Sequence, residues 1–362
     1  MRQVVYKYQM QNKFCRVLSN ALSFRVPGDT GKLSFNPCCL YDDYIEFNYE
    51  NFKDERLKYT TATDFLPGCS KCKLKEITHG SSMRTDAFER IPGDIGNDIY
   101  KLEVVLDTTC NAACIQCGPI QSSLWRKELK LHDFPESNVK KELDRLKVLI
   151  DIDKVKDFHF WGGEPLATNT HLDMIREIKD PSTVTLRYAT NGSIFPDEEL
   201  WNLYSKFHKV TFNISIDGIG DQFHYMRWPL EWKKVSKNLL RFKNECSDNT
   251  RLFINYCVVP LNSFYVLEME EWLDANAKIS HNNKPIELSY IRGEGTLNIS
   301  NTPMALREKV WSTLGENHTV SNILREVPVN DHRHMVNYLD HWDKVRKLEW
   351  RSIFPEVGKF YD

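Results

Sequence analysis

From about residue 100 the 362-residue chain alternates short β-rich runs with longer helical patterns. This alternation leaves few folds open, because each helical stretch has to return the chain to the start of another parallel strand. Strands are predicted at 101–106, 157–161, 184–189, 210–216, 252–259 and 286–290, with helices between them at, for example, 137–150, 197–206, 233–246 and 264–275. Six such alternations predict an α/β fold, a partial (β/α)6 TIM-like barrel whose reactive groups lie at the C-terminal ends of the strands. The fourth strand places Thr211, Asn213, Ser215 and Asp217 on one face and Phe212, Ile214 and Ile216 on the other. Asn255 and Cys257 on the fifth strand, and Glu287 and Ser289 on the sixth, extend the polar face. Helices would cover the apolar face, and the polar one would line an open, wet lumen.

The first hundred residues read differently. Residues 21–26, a turn through Pro27, Gly28 and Gly31, and residues 32–35 form a β-hairpin pattern. A linker over 88–98, containing Pro92, Gly93 and Gly96, leads into the barrel, and the chain after Pro303 has helical patterning that ends in a Trp/Arg-rich stretch. The division expected is a small N-terminal domain (1–98), the barrel (99–295) and a helical C-terminal extension (296–362).

A net charge of -2 gives no strong polyanion-binding signal, so nucleic acid is neither implied nor excluded, although Lys71, Lys73 and Lys75 form a local basic cluster. No run approaches the roughly 20 apolar residues of a membrane span, and no secretion signal opens the chain, so a soluble cytoplasmic protein is expected. Ten cysteines in such a chain point to metal or redox chemistry rather than disulfides. Cys15, Cys38, Cys39, Cys69 and Cys72 lie early, Cys110, Cys114 and Cys117 cluster after the first barrel strand, and Cys246 and Cys257 stand alone.

The run from Cys110 to Cys117 has C-x3-C-x2-C spacing with no fourth thiol nearby. Three soft ligands on a tight loop suit an iron-sulfur cluster with one iron left open to bind a small molecule. Taken alone, the spacing fits chance or part of a zinc site equally well. Its companions narrow the choice: Trp161-Gly162-Gly163-Glu164-Pro165 after strand two, Thr190-Asn191-Gly192-Ser193 after strand three, and Ser215-Ile216-Asp217-Gly218 at strand four. Each is a common turn by itself. In this order, over residues 100–295, the set resembles the radical SAM superfamily.

That resemblance implies a 4Fe-4S cluster on Cys110, Cys114 and Cys117 and bound S-adenosylmethionine. Gly162, Gly163, Glu164 and Pro165 would meet its methionyl end, and Asn191, Ser215 and Asp217 its ribose hydroxyls and carboxylate. Arg227 is a candidate carboxylate clamp, with a surface ion pair as the plain alternative. Many family members carry an aromatic residue before the third cysteine, where this chain has Gln116, so adenine packing would fall to Ile115 or Val259.

Cys15, Cys38, Cys69 and Cys72, with Cys39 as an alternative to Cys38, precede Glu76, Gly80, Ser82 and Arg84. This set resembles the auxiliary-cluster module called twitch or SPASM, placed before the barrel, and implies a second 4Fe-4S cluster. A structural zinc on the same thiolates is the competing reading.

The likeness implies reductive cleavage of S-adenosylmethionine to a 5′-deoxyadenosyl radical that takes a hydrogen from substrate. Among such enzymes a ribosomally made precursor peptide is the substrate expected, for crosslinking, epimerisation or backbone excision. About 14 residues precede Cys15, too few for a leader-binding domain, so a separate small leader-binding partner is expected, as with two-component spliceases. An electron donor such as flavodoxin or ferredoxin completes the set. Cys257 is a candidate hydrogen donor, against the plain reading of a small apolar filler; Tyr290 and Glu294 are candidate substrate contacts. Modification of a nucleotide, nucleic acid or small metabolite, and a non-catalytic thiolate-metal module, are the alternatives.

Overall fold

The computed structural model describes residues 15–25, 34–38, 40–41, 45–46, 52–62, 64–93, 95–96, 98–105, 107–132, 139–277, 286–291 and 295–361. The hairpin turn at 27–31, Cys39 and Glu294 lie outside these. The chain divides into two compact units and passes between them within two of its strands. One unit comprises Met1–Thr109, Lys130–Tyr188 and Asn202–Val210, and the other Cys110–Leu129, Ala189–Trp201 and Thr211–Asp362.

In the first unit the period-two alternation of apolar residues acts as expected. Phe158 and Phe160 of β5 (Asp157–Phe160) and Leu186 and Tyr188 of β6 (Thr185–Thr190) are buried, while the intervening residues are half-buried. β1 (Ala21–Arg25) pairs antiparallel with β2 (Ser34–Asn36), which pairs antiparallel with β3 (Ile45–Glu46). The predicted hairpin pairing is therefore present, and β1 does more than the sequence suggests. It also runs parallel to β4 (Lys101–Val105), from Ala21↔Lys101 to Arg25↔Val105, so the N-terminal hairpin continues the parallel run β4, β5, β6.

In the second unit β7 (Lys209–Ser215) contributes its residues from Thr211 onward. The chain beyond it lies beside β8 (Thr250–Val258), with Ile216 N–H donating to the Asn255 carbonyl at 2.9 Å. β8 pairs parallel with β9 (Glu287–Tyr290), from Asn255↔Glu287 to Val258↔Tyr290. Helix Trp232–Glu245 buries Val235, Leu239 and Phe242, and the Phe242 ring meets those of Phe195 and Phe212, each at 4.9 Å. Five short to medium helices lie between Met304 and Gly358. There Arg307, 2% exposed, donates to the carbonyls of Thr302, Leu324, Val327, Ser300 and Pro328.

The α/β class, the mostly parallel strands and the helical C-terminal stretch are those predicted. Differences fall at boundaries. Trp161, Ile216 and Val259 lie just past their strands, where the chain turns into loops, and the helix expected at 264–275 is Val266–Trp272 followed by a π-helical turn, Leu273–Ala277. Among the described residues no helix is long and apolar enough to cross a membrane.

Candidate metal centres

The three-cysteine loop follows β4 in the chain. It has no regular secondary structure, so its shape comes from hydrogen bonds to its surroundings. Cys110 N–H donates to Ser123 Oγ at 3.0 Å, and Ser122 Oγ donates to the Ala112 carbonyl at 2.6 Å. The amides of Ala113 and Ile115 donate to the carbonyls of Trp228 and Met226 at 2.6 and 3.0 Å. Cys114 is buried, Cys110 half-buried and Cys117 exposed. Burial pushes the Cys114 thiol up, and the Arg227 guanidinium beside it works in the opposite direction.

Arg227 lies at the end of helix Gly220–Met226. Its Nε is 2.6 Å from Asp217 Oδ2, and its Nη1 is 3.7 Å from Cys114 Sγ. Asp217, fully buried, also accepts from the Cys257 amide at 2.8 Å and from the Gln116 side chain. Burial works against the charge on Arg227, but Asp217 and the nearby thiols hold its pKa above its ordinary value. Gln116, the departure from the family pattern, is thus a partner of Asp217, and both Asp217 oxygens are engaged by the protein. Asn262 closes the arrangement: its Oδ1 accepts from Val259 N–H at 2.8 Å, and its Nδ2 donates to the carbonyls of Cys257 and Asp217 at 3.0 and 3.1 Å. Val259 and Ile115 are both buried among protein neighbours. Burial pushes the half-buried Cys257 thiol up to about 12, which keeps it protonated.

The Thr190–Ser193 loop is tied to the cysteine loop within the same unit. Asn191 Nδ2 donates to Asn111 Oδ1 at 2.8 Å, Asn111 Nδ2 donates to Ser193 Oγ at 2.8 Å, and Ser193 N–H returns to Asn191 Oδ1 at 2.9 Å. Ser215, half-buried, ends β7 on the side expected from the alternation.

Gly162 to Pro165 belong to the first unit. A Cβ on Gly163 would stand 2.2 Å from the Thr109 carbonyl oxygen, and one on Gly162, whose φ is +94°, would stand 2.3 Å from Val105 Cγ1. The two glycines are therefore required for this turn to pack on the end of β4 and the loop beyond it. Glu164 N–H donates to the Thr109 carbonyl at 2.8 Å, while its buried carboxylate caps the Pro165–Ala167 turn through Leu166 N–H at 3.1 Å.

The four early cysteines come from three stretches of chain and line one pocket, together with Val17, Leu18, Phe65 and Arg84. Of the motif residues beyond Cys72, Arg84 lines it and is held there by Glu76. Glu76 on helix Ser70–His79 accepts from Ser82 Oγ at 2.6 Å and from Arg84 Nε at 2.8 Å, and Arg84 and Glu76 are each 3% exposed. Burial pushes the Cys15 thiol up to about 12, although the Leu18 and Val17 amides oppose this. A thiol raised this far stays protonated at neutral pH unless a metal displaces the proton. Among the described residues no three His, Cys, Asp or Glu side chains are gathered closely enough for a single metal ion.

Two further features escaped the sequence reading. Ser23, Glu103, His159 and Arg187 stand in register across β1, β4, β5 and β6. Glu103, 4% exposed, has Oε1 2.6 Å from Lys101 Nζ and 3.9 Å from His159 Nδ1. The buried Ser23 Oγ, Glu103 Oε2 and Trp161 Nε1 have no partner among the described residues. The same period-two rule applied at strand four would have found this row, since Glu103 and His159 alternate with Leu102, Val104, Phe158 and Phe160. The other feature is the contact of Tyr338 and Arg346 with the cysteine loop, which pairs residues more than 200 positions apart and leaves no local pattern.

Residues 104–273 match the family described as Radical SAM superfamily, which supports a radical SAM domain over this stretch. Comparison with curated proteins finds no match. Similar solved structures include native anSMEcpe with bound AdoMet (17% identity, TM-score 0.40, 64% of this chain and 63% of that one). Streptococcus suis SuiB bound to S-adenosylmethionine gives 11% identity, a TM-score of 0.43 and coverage of 90% and 70%. TYW1 with a lysine-pyruvate adduct bound gives 16%, 0.37, and 75% and 91%. The chain spans about three-fifths of the length of the anSMEcpe chains it matches.

Proposed function

We infer that this chain is a radical SAM enzyme that carries a 4Fe-4S cluster on Cys110, Cys114 and Cys117, holds a second on Cys15, Cys38, Cys69 and Cys72, and acts on a precursor peptide. The observation that carries the reading is the three-thiol loop itself, inside the matched family region, with its backbone externally held and the Arg227 guanidinium at Cys114 Sγ. The donor set fits: three thiols on one short loop with no fourth leave an iron open. When bound, the cluster and S-adenosylmethionine supply a one-electron reduction that breaks the C5′–S bond and yields a 5′-deoxyadenosyl radical.

The protein's own residues bind, orient and shield. Asp217 holds Arg227 in place, and the guanidinium presents further N–H donors beside the loop, suited to a carboxylate. Asn191 and Ser215 offer short polar groups to ribose hydroxyls. Cys257, kept as a thiol, has the S–H bond that an epimerase needs to return a hydrogen atom. The complete set of four thiols in the first unit suits a cluster that exchanges electrons rather than one that binds the small molecule. A separate leader-binding protein and a flavodoxin- or ferredoxin-type donor belong to the same reading.

Anaerobic reconstitution followed by iron and sulfide counting tests it. About eight irons per chain, with matching sulfide, fits two 4Fe-4S centres. About four removes the second centre, and zinc without sulfide overturns the whole reading.

A further inference from the structure

Helix Arg333–Arg346 contains none of the motif residues, yet two of its side chains end on the three-cysteine loop. Tyr338 Oη donates to the Ile115 carbonyl at 2.9 Å, and Arg346 Nη2 donates to the Ala113 carbonyl at 2.9 Å. Between them, Trp125 Nε1 donates to the Cys114 carbonyl at 2.9 Å. Three consecutive carbonyls therefore each meet a side chain from outside the loop. With the two amide bonds to Met226 and Trp228, these contacts set the backbone around Cys114 where no helix or ladder does so.

Arg346 is built for this position. It is 7% exposed, and its guanidinium carbon lies 4.7 Å from the Trp125 and Trp342 ring centres and 5.7 Å from that of Trp228. Its charge is matched by Glu128, with Nη2 2.7 Å from Oε2, while Glu128 Oε1 accepts from Trp228 Nε1 at 2.8 Å. A buried cation without such faces and a carboxylate would be strongly unfavourable. Nη2 alone reaches both the loop carbonyl and Glu128, while the planar guanidinium lies over the Trp125 and Trp342 rings, a stacking that a lysine ammonium does not reproduce.

We propose that Tyr338 and Arg346 are positioning residues of the cluster: they hold the Ala113–Ile115 backbone so that the Cys114 thiol stands where the cluster meets it. The inference rests on the cluster reading given above. It makes helix Arg333–Arg346 a working part of the metal centre, although none of the proposed ligands lies on it.

The test compares wild type, Tyr338→Phe and Arg346→Lys. Amide hydrogen exchange over 110–117 is measured in metal-free protein, then iron loss to a chelator and the electron paramagnetic resonance spectrum of the reduced, reconstituted protein. Both variants are expected to exchange faster across the loop, to lose iron about tenfold faster and to show altered spectra, in line with outer-shell partners of other metal sites. Unchanged exchange, iron loss and spectrum in Tyr338→Phe, which lacks a single hydroxyl and keeps the aromatic packing, would overturn the proposal even where Arg346→Lys fails to fold. If wild type takes up no iron, the cluster reading fails, while the metal-free exchange still decides whether these side chains brace the loop.

Discussion

The two cysteine groups solve opposite problems. The loop puts three thiols within eight residues, graded from buried Cys114 to exposed Cys117, and takes its shape from external hydrogen bonds. The pocket gathers four thiols from three stretches of chain among apolar side chains, beside a buried Glu76–Arg84 ion pair. An open set on an accessible loop suits a centre that binds a small molecule. A complete set of four suits a coordinatively closed one. The difference teaches that the number of thiols a site gathers, three against four, separates the roles.

The largest effect should come from exchanging which group is broken. Cys114→Ala is expected to abolish S-adenosylmethionine cleavage while leaving about four irons, and Cys69→Ala to leave cleavage of S-adenosylmethionine without substrate intact while losing the other four. Iron counts and 5′-deoxyadenosine assays on the pair check this, and loss of both centres in either variant would break the comparison.

Next is the pocket wall. Arg84→Met leaves the Glu76 carboxylate buried and unpaired, so a loss of about 3–5 kcal/mol in unfolding free energy is expected. A denaturant titration measures it, and Glu76→Gln/Arg84→Met together should recover part of the loss. Gly163→Ala should have a smaller effect, about 1–3 kcal/mol, because the new Cβ meets the backbone oxygen of Thr109, which has little room to move.

Much of this was legible beforehand, for physical reasons that differ by region. Phe212, Ile214 and Ile216 alternate with polar residues, so side-chain period alone placed the β7 faces. Glu76, Ser82 and Arg84 lie close in sequence to Cys69 and Cys72, and two short helices bring them together. β1 joining β4 was not legible, because strand pairing across 80 residues depends on which edge is free rather than on local pattern. The engagement of Asp217 by Arg227, Gln116 and the Cys257 amide was likewise hidden, since each partner comes from a different stretch of chain. The Tyr338 and Arg346 contacts show the same limit at its longest range.

The smallest effect at neutral pH is an acid dependence in the first unit. His171, packed between the Phe160 and Tyr188 rings at 5.5 and 5.2 Å, has its pKa pulled by burial from 6.5 to about 4. The unfolded chain then binds the extra proton first, so this stability is present above pH 6.5 and lost as pH falls toward 4. Burial would raise the Glu103 carboxyl, but His159 and Lys101 hold it at about 2 instead, so its contribution is lost between about pH 4.5 and 2. His171→Phe should flatten the upper limb of a stability-against-pH curve and leave the lower one, whereas a lower limb that moves with it would contradict the assignment.

The central claim is that the three-cysteine loop carries the chemistry. It is tested most directly by incubating the reconstituted, reduced protein anaerobically with S-adenosylmethionine and measuring 5′-deoxyadenosine by chromatography, beside Cys114→Ala. The account predicts 5′-deoxyadenosine from wild type and none above background from the variant; none from a wild-type protein shown to hold its iron and sulfide, or equal amounts from both, would contradict it.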